Sequence, residues 1–148
     1  MKAFKFQLDG VLNYKHQVLD ALMVEHGTIL ARIREQTALL EAIYARYDAY
    51  NAEYTEKRES GMTIAAAMGY QVGLQALEME IVRANERLTR LQAEEEKMRA
   101  KVVEAKIDTS SIEKLRKIKR GLYDKAVVKE EEAMLDELVA SRRAVANA

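Results

Sequence analysis

The sequence has 148 residues, with 24 lysine plus arginine side chains and 24 aspartate plus glutamate side chains, so its formal net charge is zero. A balanced charge gives no general attraction to nucleic acid or to an anionic membrane surface. Cysteine is absent, which excludes a disulfide framework and thiolate metal sites. Proline is also absent and glycine occurs only six times, a composition typical of long helices rather than of sheets.

The amino terminus and the apolar stretches predict the compartment. The first seven residues include Lys2 and Lys5 but lack the apolar core of a secretory signal peptide. The longest uncharged apolar stretch, around Ile64 to Tyr70, is too short to cross a bilayer. We therefore expect a cytoplasmic protein.

One strong break divides the sequence, at residues 59–63. Gly61 suits the left-handed residue that follows the end of a helix, and Thr63 can cap the beginning of the next helix. We predict a single elongated domain over residues 1–148, with helix one at about 9–58, a turn at 59–63 and helix two at about 64–142.

Apolar residues recur at alternating steps of three and four over residues 12–54 and again over residues 74–112. A repeat that averages 3.5 residues over so many turns indicates a coiled-coil seam. The fold class that follows is all-α, a two-helix antiparallel coiled-coil hairpin with a longer C-terminal helix. The polar exceptions within the two seams are Lys15, His26, Gln36, Glu95 and Thr109.

The short turn also predicts the register of the hairpin. Folding about the turn pairs residues whose numbers add up to roughly 120 or 121. This places Leu40 opposite Ile81, and it places His26 opposite Glu95, so that two of the polar exceptions share one level. We predict that His26 and Glu95 touch and form a polar layer that fixes the register.

Helix two is predicted to be longer than helix one, with residues 113–148 overhanging. The apolar rhythm is weaker there, and a basic block at residues 114–120 is followed by three acidic residues at 130–132. Alternating charge is typical of a solvated helix. A helix with remaining apolar residues is also a natural docking element for a partner protein. Ser110 and Glu113 have the spacing of a capping box, so a new helix can begin near residues 108–111.

The turn-proximal part of helix one carries several tyrosines, and helix two offers alanine and glycine at the same levels. Large rings over small residues let two helices approach closely, so aromatic packing in the coil is the favoured interpretation for Tyr47, Tyr50 and Tyr54. Tyr44 lies off the seam, where an exposed side chain that contacts a partner is more plausible.

The sequence contains no catalytic constellation. His16 and His26 are ten residues apart on different helix faces, which argues against a shared metal. No glycine-rich phosphate loop and no hydrolase or metalloprotease motif occurs. We therefore expect no enzyme activity, no catalytic residue, no metal and no cofactor.

Several short motifs occur in order along nearly the whole chain. The opening run is Phe4-Lys5-Phe6-Gln7-Leu8, which leads to Val11-Leu12. A glycine-containing turn at Gly61 is followed by Tyr70 and by the pair Leu77-Glu78. Further along the chain are Ile112-Glu113-Lys114-Leu115 and Leu135-Asp136-Glu137. In their order and spacing, these motifs resemble those of the FliJ proteins of the flagellar type III export apparatus.

The resemblance implies an export component that binds the hexameric export ATPase and promotes its assembly. It also implies contact with the cytoplasmic part of the membrane export gate, escort of export chaperones, and a position peripheral to the inner membrane at the flagellar base. By analogy with the stalk of rotary ATPases, the open end of the hairpin would enter the ATPase ring. The residues assigned to that contact are Phe4, Phe6, Leu8, Leu115, Arg116, Lys119, Leu122, Leu135 and Asp136. Gate contact is assigned to Tyr50, Tyr70 and Leu77, together with the off-seam Tyr44.

Three alternatives remain open at this point. The first is the equivalent stalk of a virulence-type secretion system, and the second is a generic coiled-coil scaffold. The third is a nucleic-acid-binding helical hairpin, which predicts steeply salt-dependent binding. The basic block at residues 114–120 lacks the interleaved aromatic residues that would favour the third alternative.

Overall fold

The computed structural model describes residues 2–147, and these residues form two α-helices and no strand. Helix α1 spans Asp9–Ser60, 52 residues, and helix α2 spans Ile64–Ala146, 83 residues. The all-α class and the longer second helix are as predicted from the sequence. Both helices run a few residues further than the sequence indicates, because glutamate, lysine, arginine and alanine near both carboxyl ends are good helix formers.

The turn between the helices occupies residues 61–63. Gly61 has a φ of 96°, a left-handed conformation that side chains disfavour, and this confirms its predicted place after the end of α1. Thr63 caps α2, because its hydroxyl oxygen accepts a hydrogen bond from the amide of Ala66 at 3.1 Å. Both signals are local in the sequence.

The described residues form two compact units, one of residues 21–102 and one of residues 2–20 with 103–147. In the 21–102 unit, α1 and α2 pack antiparallel around a small apolar core. Leu40, Ile43 and Ala84 are buried together, with Ile81 and Leu88 packed against them. These are residues of the predicted seams.

Polar residues within the seam of the 21–102 unit have partners across the hairpin. His26 Nε2 lies 3.0 Å from Glu95 Oε1, so the two side chains that the register places at one level are in contact. Gln36 donates a hydrogen bond from Nε2 to the carbonyl oxygen of Ala84 at 3.1 Å. A largely buried polar group that keeps a partner avoids most of the cost of leaving water.

In the second unit, the beginning of α1 packs against α2 around Leu12 and Thr109, both of which are buried. The Thr109 hydroxyl donates to the carbonyl oxygen of Ala105 at 2.7 Å, which explains how a polar residue occupies the seam. Helix α2 runs without interruption through residues 108–111, and Glu113 lies 3.0 Å from His16. The possible new helix with a Ser110–Glu113 capping box is therefore wrong.

Residues 2–8 precede α1 and fold back onto α2 in the same unit. Phe6 is buried, and Tyr123 on α2 donates a hydrogen bond from its hydroxyl to the carbonyl oxygen of Lys2 at 2.6 Å. The expectation that helix two overhangs from residue 113 onward needs correction, because this amino-terminal segment covers α2 as far as Tyr123. Beyond Val127 no half-buried residue remains, because every residue from 128 to 147 is exposed.

Candidate protein-binding surfaces

Three aromatic rings gather near the turn in the 21–102 unit, and we call Tyr50, Tyr54 and Tyr70 the tyrosine cluster. The ring of Tyr70 on α2 lies between two rings of α1, with centroids 5.1 Å from Tyr50 and 5.3 Å from Tyr54. Both pairs are tilted, an arrangement that aromatic rings favour. All three side chains are half-buried, so each keeps an exposed edge.

The tyrosine cluster is joined to a charged pair on α1. Tyr70 donates a hydrogen bond from its hydroxyl to Glu53 Oε1 at 3.0 Å, and Lys57 Nζ lies 3.3 Å from the same oxygen. These two hydrogen bonds, of which the one from Tyr70 has the larger effect, hold the pKa of Glu53 below its usual range. Hydrogen bonding with Tyr70 and then Glu53 raises the pKa of Lys57. Across the hairpin, the Tyr47 hydroxyl donates a hydrogen bond to Glu78 Oε1 at 3.3 Å. Partial burial has the largest effect on the pKa of Tyr47 and this bond the next largest, and both raise it.

These pKa shifts predict a pH dependence with two limits. A carboxyl group whose pKa is lower in the folded state stabilises the fold above its unfolded pKa, and the contribution is lost as the pH falls through the folded pKa. For Lys57 the sign is opposite, so its contribution is lost as the pH rises through its folded pKa. We expect Glu53→Gln to lower the Tm at about pH 7 and the difference from the wild type to close below about pH 4. Thermal melts of Glu56→Gln on the same helix control for the loss of charge. If Glu56→Gln lowered the Tm as much as Glu53→Gln and with the same pH dependence, the prediction would be contradicted.

Gly73 explains how the ring of Tyr50 can lie so close to α2. A Cβ atom built on Gly73 would be 2.5 Å from the Tyr50 hydroxyl oxygen and 2.7 Å from its Cε1 atom, which is too close for real carbon contacts. The absence of a side chain at this position therefore makes room for the ring. Gly69 lies one turn earlier, and a Cβ atom built there would have no neighbouring atom within 4 Å.

The two glycines give a matched pair of variants. Gly69→Ala is expected to stabilise the chain by about 0.5–1 kcal/mol, because alanine favours a helix interior. Gly73→Ala gains the same propensity but displaces the Tyr50 ring, so we expect it to be neutral or destabilising by about 1 kcal/mol. Urea unfolding followed by circular dichroism measures both. In a Tyr50→Ala background, Gly73→Ala should become as stabilising as Gly69→Ala. If Gly73→Ala still stabilised the chain less than Gly69→Ala in that background, the ring of Tyr50 would not be the cause of the difference.

The residues assigned to gate contact from the sequence do not share one surface. Tyr50 and Tyr70 lie together, with Tyr54 as a third member that the assignment omitted. Tyr44 is exposed but is not part of the tyrosine cluster. Leu77 is 8% exposed, so its assignment needs correction: it packs within the hairpin and presents almost no surface to a partner.

A second surface forms where residues 2–8 pack on α2 residues 115–123, and we call this arrangement the amino-terminal clasp. The rings of Phe4 and Tyr123 lie 5.5 Å apart, and a groove between the segment and the helix is lined by Phe4, Phe6, Leu8, Leu115, Lys119 and Tyr123. Two arginines add cation–π contacts to the rings. The Arg120 guanidinium lies 5.0 Å from the Phe4 centroid, and Arg116 lies 5.7 Å from it while pairing with Asp9 at 3.1 Å.

The structure thus divides the residues assigned to ATPase contact into two groups. Those of the first group belong to the amino-terminal clasp, namely Phe4, Phe6, Leu8, Leu115, Arg116 and Lys119. Phe6 is buried there, so it supports the clasp and presents little surface to a partner. The second group consists of exposed side chains further along α2, namely Leu122, Leu135 and Asp136.

The third surface is the end of α2, and we call residues 128–147 the C-terminal segment. Its apolar side chains are exposed, including Leu135 and Leu138 at 60% each. An unpaired helix with exposed apolar side chains can serve as a docking surface for a partner protein.

From the sequence, Tyr123 was missed altogether, and Arg120 was placed in the basic block without a contact to the amino-terminal segment. The only available signal was the i, i+4 spacing of Arg116 and Arg120, which places both cations on one helix face next to Tyr123. Among residues 2–147 no cluster of three metal-ligating side chains was found. In the same range neither helix has a stretch apolar and long enough to cross a membrane.

Comparison with known proteins gives one result. The family described as "Flagellar FliJ protein" matches residues 4–148 of the chain. No curated protein and no solved structure matches this chain. The family match covers nearly the whole sequence, including residues 4–8 of the amino-terminal clasp and the whole C-terminal segment.

Proposed function

Because this chain belongs to the FliJ family and is a flagellar export-associated protein, we propose that it acts as a coiled-coil stalk in the export apparatus. The family is a structural export component and not a known enzyme family. In this proposal the chain binds the hexameric export ATPase, promotes ring assembly, contacts the cytoplasmic part of the export gate and escorts export chaperones. It works in the cytoplasm, peripheral to the inner membrane at the flagellar base.

The observation that carries the proposal is the C-terminal segment of α2, where apolar and charged side chains are exposed together. Residues 128–147 are all exposed, and Leu135 and Asp136 stand side by side in this stretch. A single helix placed in a ring of identical subunits cannot contact all of them equally. It therefore favours different conformations in different subunits, and contacts that change with the nucleotide state couple hydrolysis to movement.

The gate contact in this proposal uses the tyrosine cluster and Tyr44. Half-buried tyrosines combine a large apolar face with a hydroxyl, which suits a protein interface. The structure holds Tyr70 between two neighbouring rings, so little side-chain entropy would be lost on binding.

The first experiment measures the hydrolysis rate and the hexamer fraction of the export ATPase with the full chain and with a chain that ends at Val127. This shortened chain retains the amino-terminal clasp, whereas an end at Ile112 would also remove Tyr123 and the α2 residues beneath residues 2–8. We expect stimulation by the full chain and its loss in the shortened one. Leu135→Ser should reduce stimulation, and Leu39→Ser, an exposed leucine on α1, serves as the matched control. Equal stimulation by the two chain lengths would contradict the ring contact.

The gate contact is tested separately by calorimetric titration of the cytoplasmic part of the export gate. Tyr70→Ala is expected to weaken binding about tenfold or more, since an aromatic anchor of an interface typically contributes over 1.4 kcal/mol. Tyr14→Ala removes a tyrosine that is 64% exposed at the other end of α1 and is the control. Equal affinities of these two variants would exclude the tyrosine cluster from the contact.

A further inference from the structure

The C-terminal segment carries a stripe of side chains at alternating steps of three and four residues. The stripe is Val128, Glu131, Leu135, Leu138, Arg142 and Val145. Its four apolar members are 52–79% exposed. This spacing places all six residues on one face of α2, the same pattern that forms the seam of the hairpin.

We propose that the C-terminal segment pairs with the same segment of a second copy of this chain, in antiparallel orientation. One register matches every position of the stripe with a compatible residue. By symmetry each of its contacts occurs twice: Val128 with Val145, Leu135 with Leu138, and Glu131 with Arg142 of the second copy.

Charge determines the orientation of this pair. In a parallel pair Glu131 would face Glu131 and Arg142 would face Arg142, so both levels would bring like charges together. In the antiparallel register each glutamate faces an arginine, and both charged levels become attractive. A symmetric two-fold pair requires a self-complementary surface, and this stripe is self-complementary in one direction only.

Flanking residues favour the same face. Met134 and Val139 border the stripe and are 59% and 50% exposed, so they widen the apolar strip available to the second copy. The opposite face carries Lys129, Ala133, Glu137 and Ala140, which suits solvent. Pairing therefore covers the large apolar side chains and leaves the opposite face, with Lys129 and Glu137, in water.

The length of the stripe predicts a weak, concentration-dependent dimer. Residues 128–145 span about 26 Å of helix, which is shorter than most stable two-stranded coils. Full-length chains should therefore dissociate on dilution. The inference does not depend on the proposed stalk function, but Leu135 serves both contacts, so a segment paired with a second copy cannot present that side chain to the ATPase ring.

The test is analytical ultracentrifugation of the full chain over about 10 µM to 1 mM, a range that covers weak association. The wild type should sediment increasingly as a dimer. Glu131→Arg and Arg142→Glu should each weaken self-association about tenfold or more, because both charged levels become repulsive. An equimolar mixture of the two variants should dimerise again, since every charged level then pairs arginine with glutamate. The chain that carries both changes should also recover self-association.

Controls come from the opposite face of the same segment. Lys129→Glu and Glu137→Arg change charge by the same amount and should leave dimerisation unchanged, and circular dichroism verifies that all variants remain helical. A wild type that stays monomeric at about 1 mM would overturn the proposal. So would failure of the double change and of the mixture to restore association. Protection of residues 128–147 from hydrogen exchange only when the export ATPase is added would assign this face to that partner instead.

Discussion

Replacing Phe6 by alanine is expected to release the amino-terminal clasp while residues 21–102 stay folded. Phe6 is 8% exposed and is the most buried side chain of residues 2–8. A buried phenylalanine truncated to alanine typically costs about 3–5 kcal/mol, and the open groove beside it suggests the lower end of that range. This is a large fraction of the stability of a small unit.

Hydrogen exchange read out by mass spectrometry measures the effect. Peptides from residues 2–20 and 103–123 should lose protection, and peptides from residues 21–102 should not, because stability varies among the compact units of a chain. Phe4→Ala is the graded control: its ring is half-buried against Tyr123, and its loss should cost about 1 kcal/mol. Uniform loss of protection along the whole chain in Phe6→Ala would show that the clasp and the 21–102 unit unfold together.

The clasp also changes how the proposed ring contact is understood. Phe4 and Tyr123 are already occupied with each other and with Arg116 and Arg120, so an ATPase subunit that binds here meets a composite surface of two segments. The C-terminal segment, in contrast, presents its side chains from a single helix. Variants in the clasp should therefore change both stability and partner binding, whereas variants such as Leu135→Ser should change binding alone.

Much of the fold could be predicted because its signals are local or periodic. Gly61 and Thr63 mark the turn by their own backbone and capping preferences. The seam follows from a repeat that persists over many helical turns. Once the turn is placed, the antiparallel register follows from counting, which is why the contact of His26 with Glu95 could be predicted across 69 residues of sequence.

The amino-terminal clasp could not be predicted in this way. Residues 2–8 are not helical, so they have no periodicity, and their partner Tyr123 lies 121 residues from Lys2. Only the three-dimensional packing brings the two together. For Leu77 the two sequence signals disagreed. The Leu77-Glu78 motif predicted a partner contact, whereas the seam position predicted burial, and the side chain is buried. Where a side chain had both a motif role and a seam position, the periodicity was the better guide.

The second large effect is expected at the polar layer of His26 and Glu95. Their side chains are 21% and 17% exposed, and the atoms in contact are 3.0 Å apart. Replacing either residue alone by leucine leaves the other polar group poorly hydrated and with its main partner gone, which should cost about 1–3 kcal/mol. Arg99 lies 3.7 Å from Glu95 and partly compensates in His26→Leu, so Glu95→Leu should be the more damaging single change.

The double variant separates stability from specificity. Two leucines at one level extend the apolar seam, so the double variant should be as stable as the wild type or more stable, with a coupling of about 2 kcal/mol between the two positions in urea unfolding. The seam would then lack the level that identifies the correct register, and shifted or intermolecular helix pairings should become competitive. We expect broader amide spectra and additional oligomers in the double variant. Additive single effects, or a double variant with one sharp set of resonances, would show that the turn at Gly61 alone determines the register.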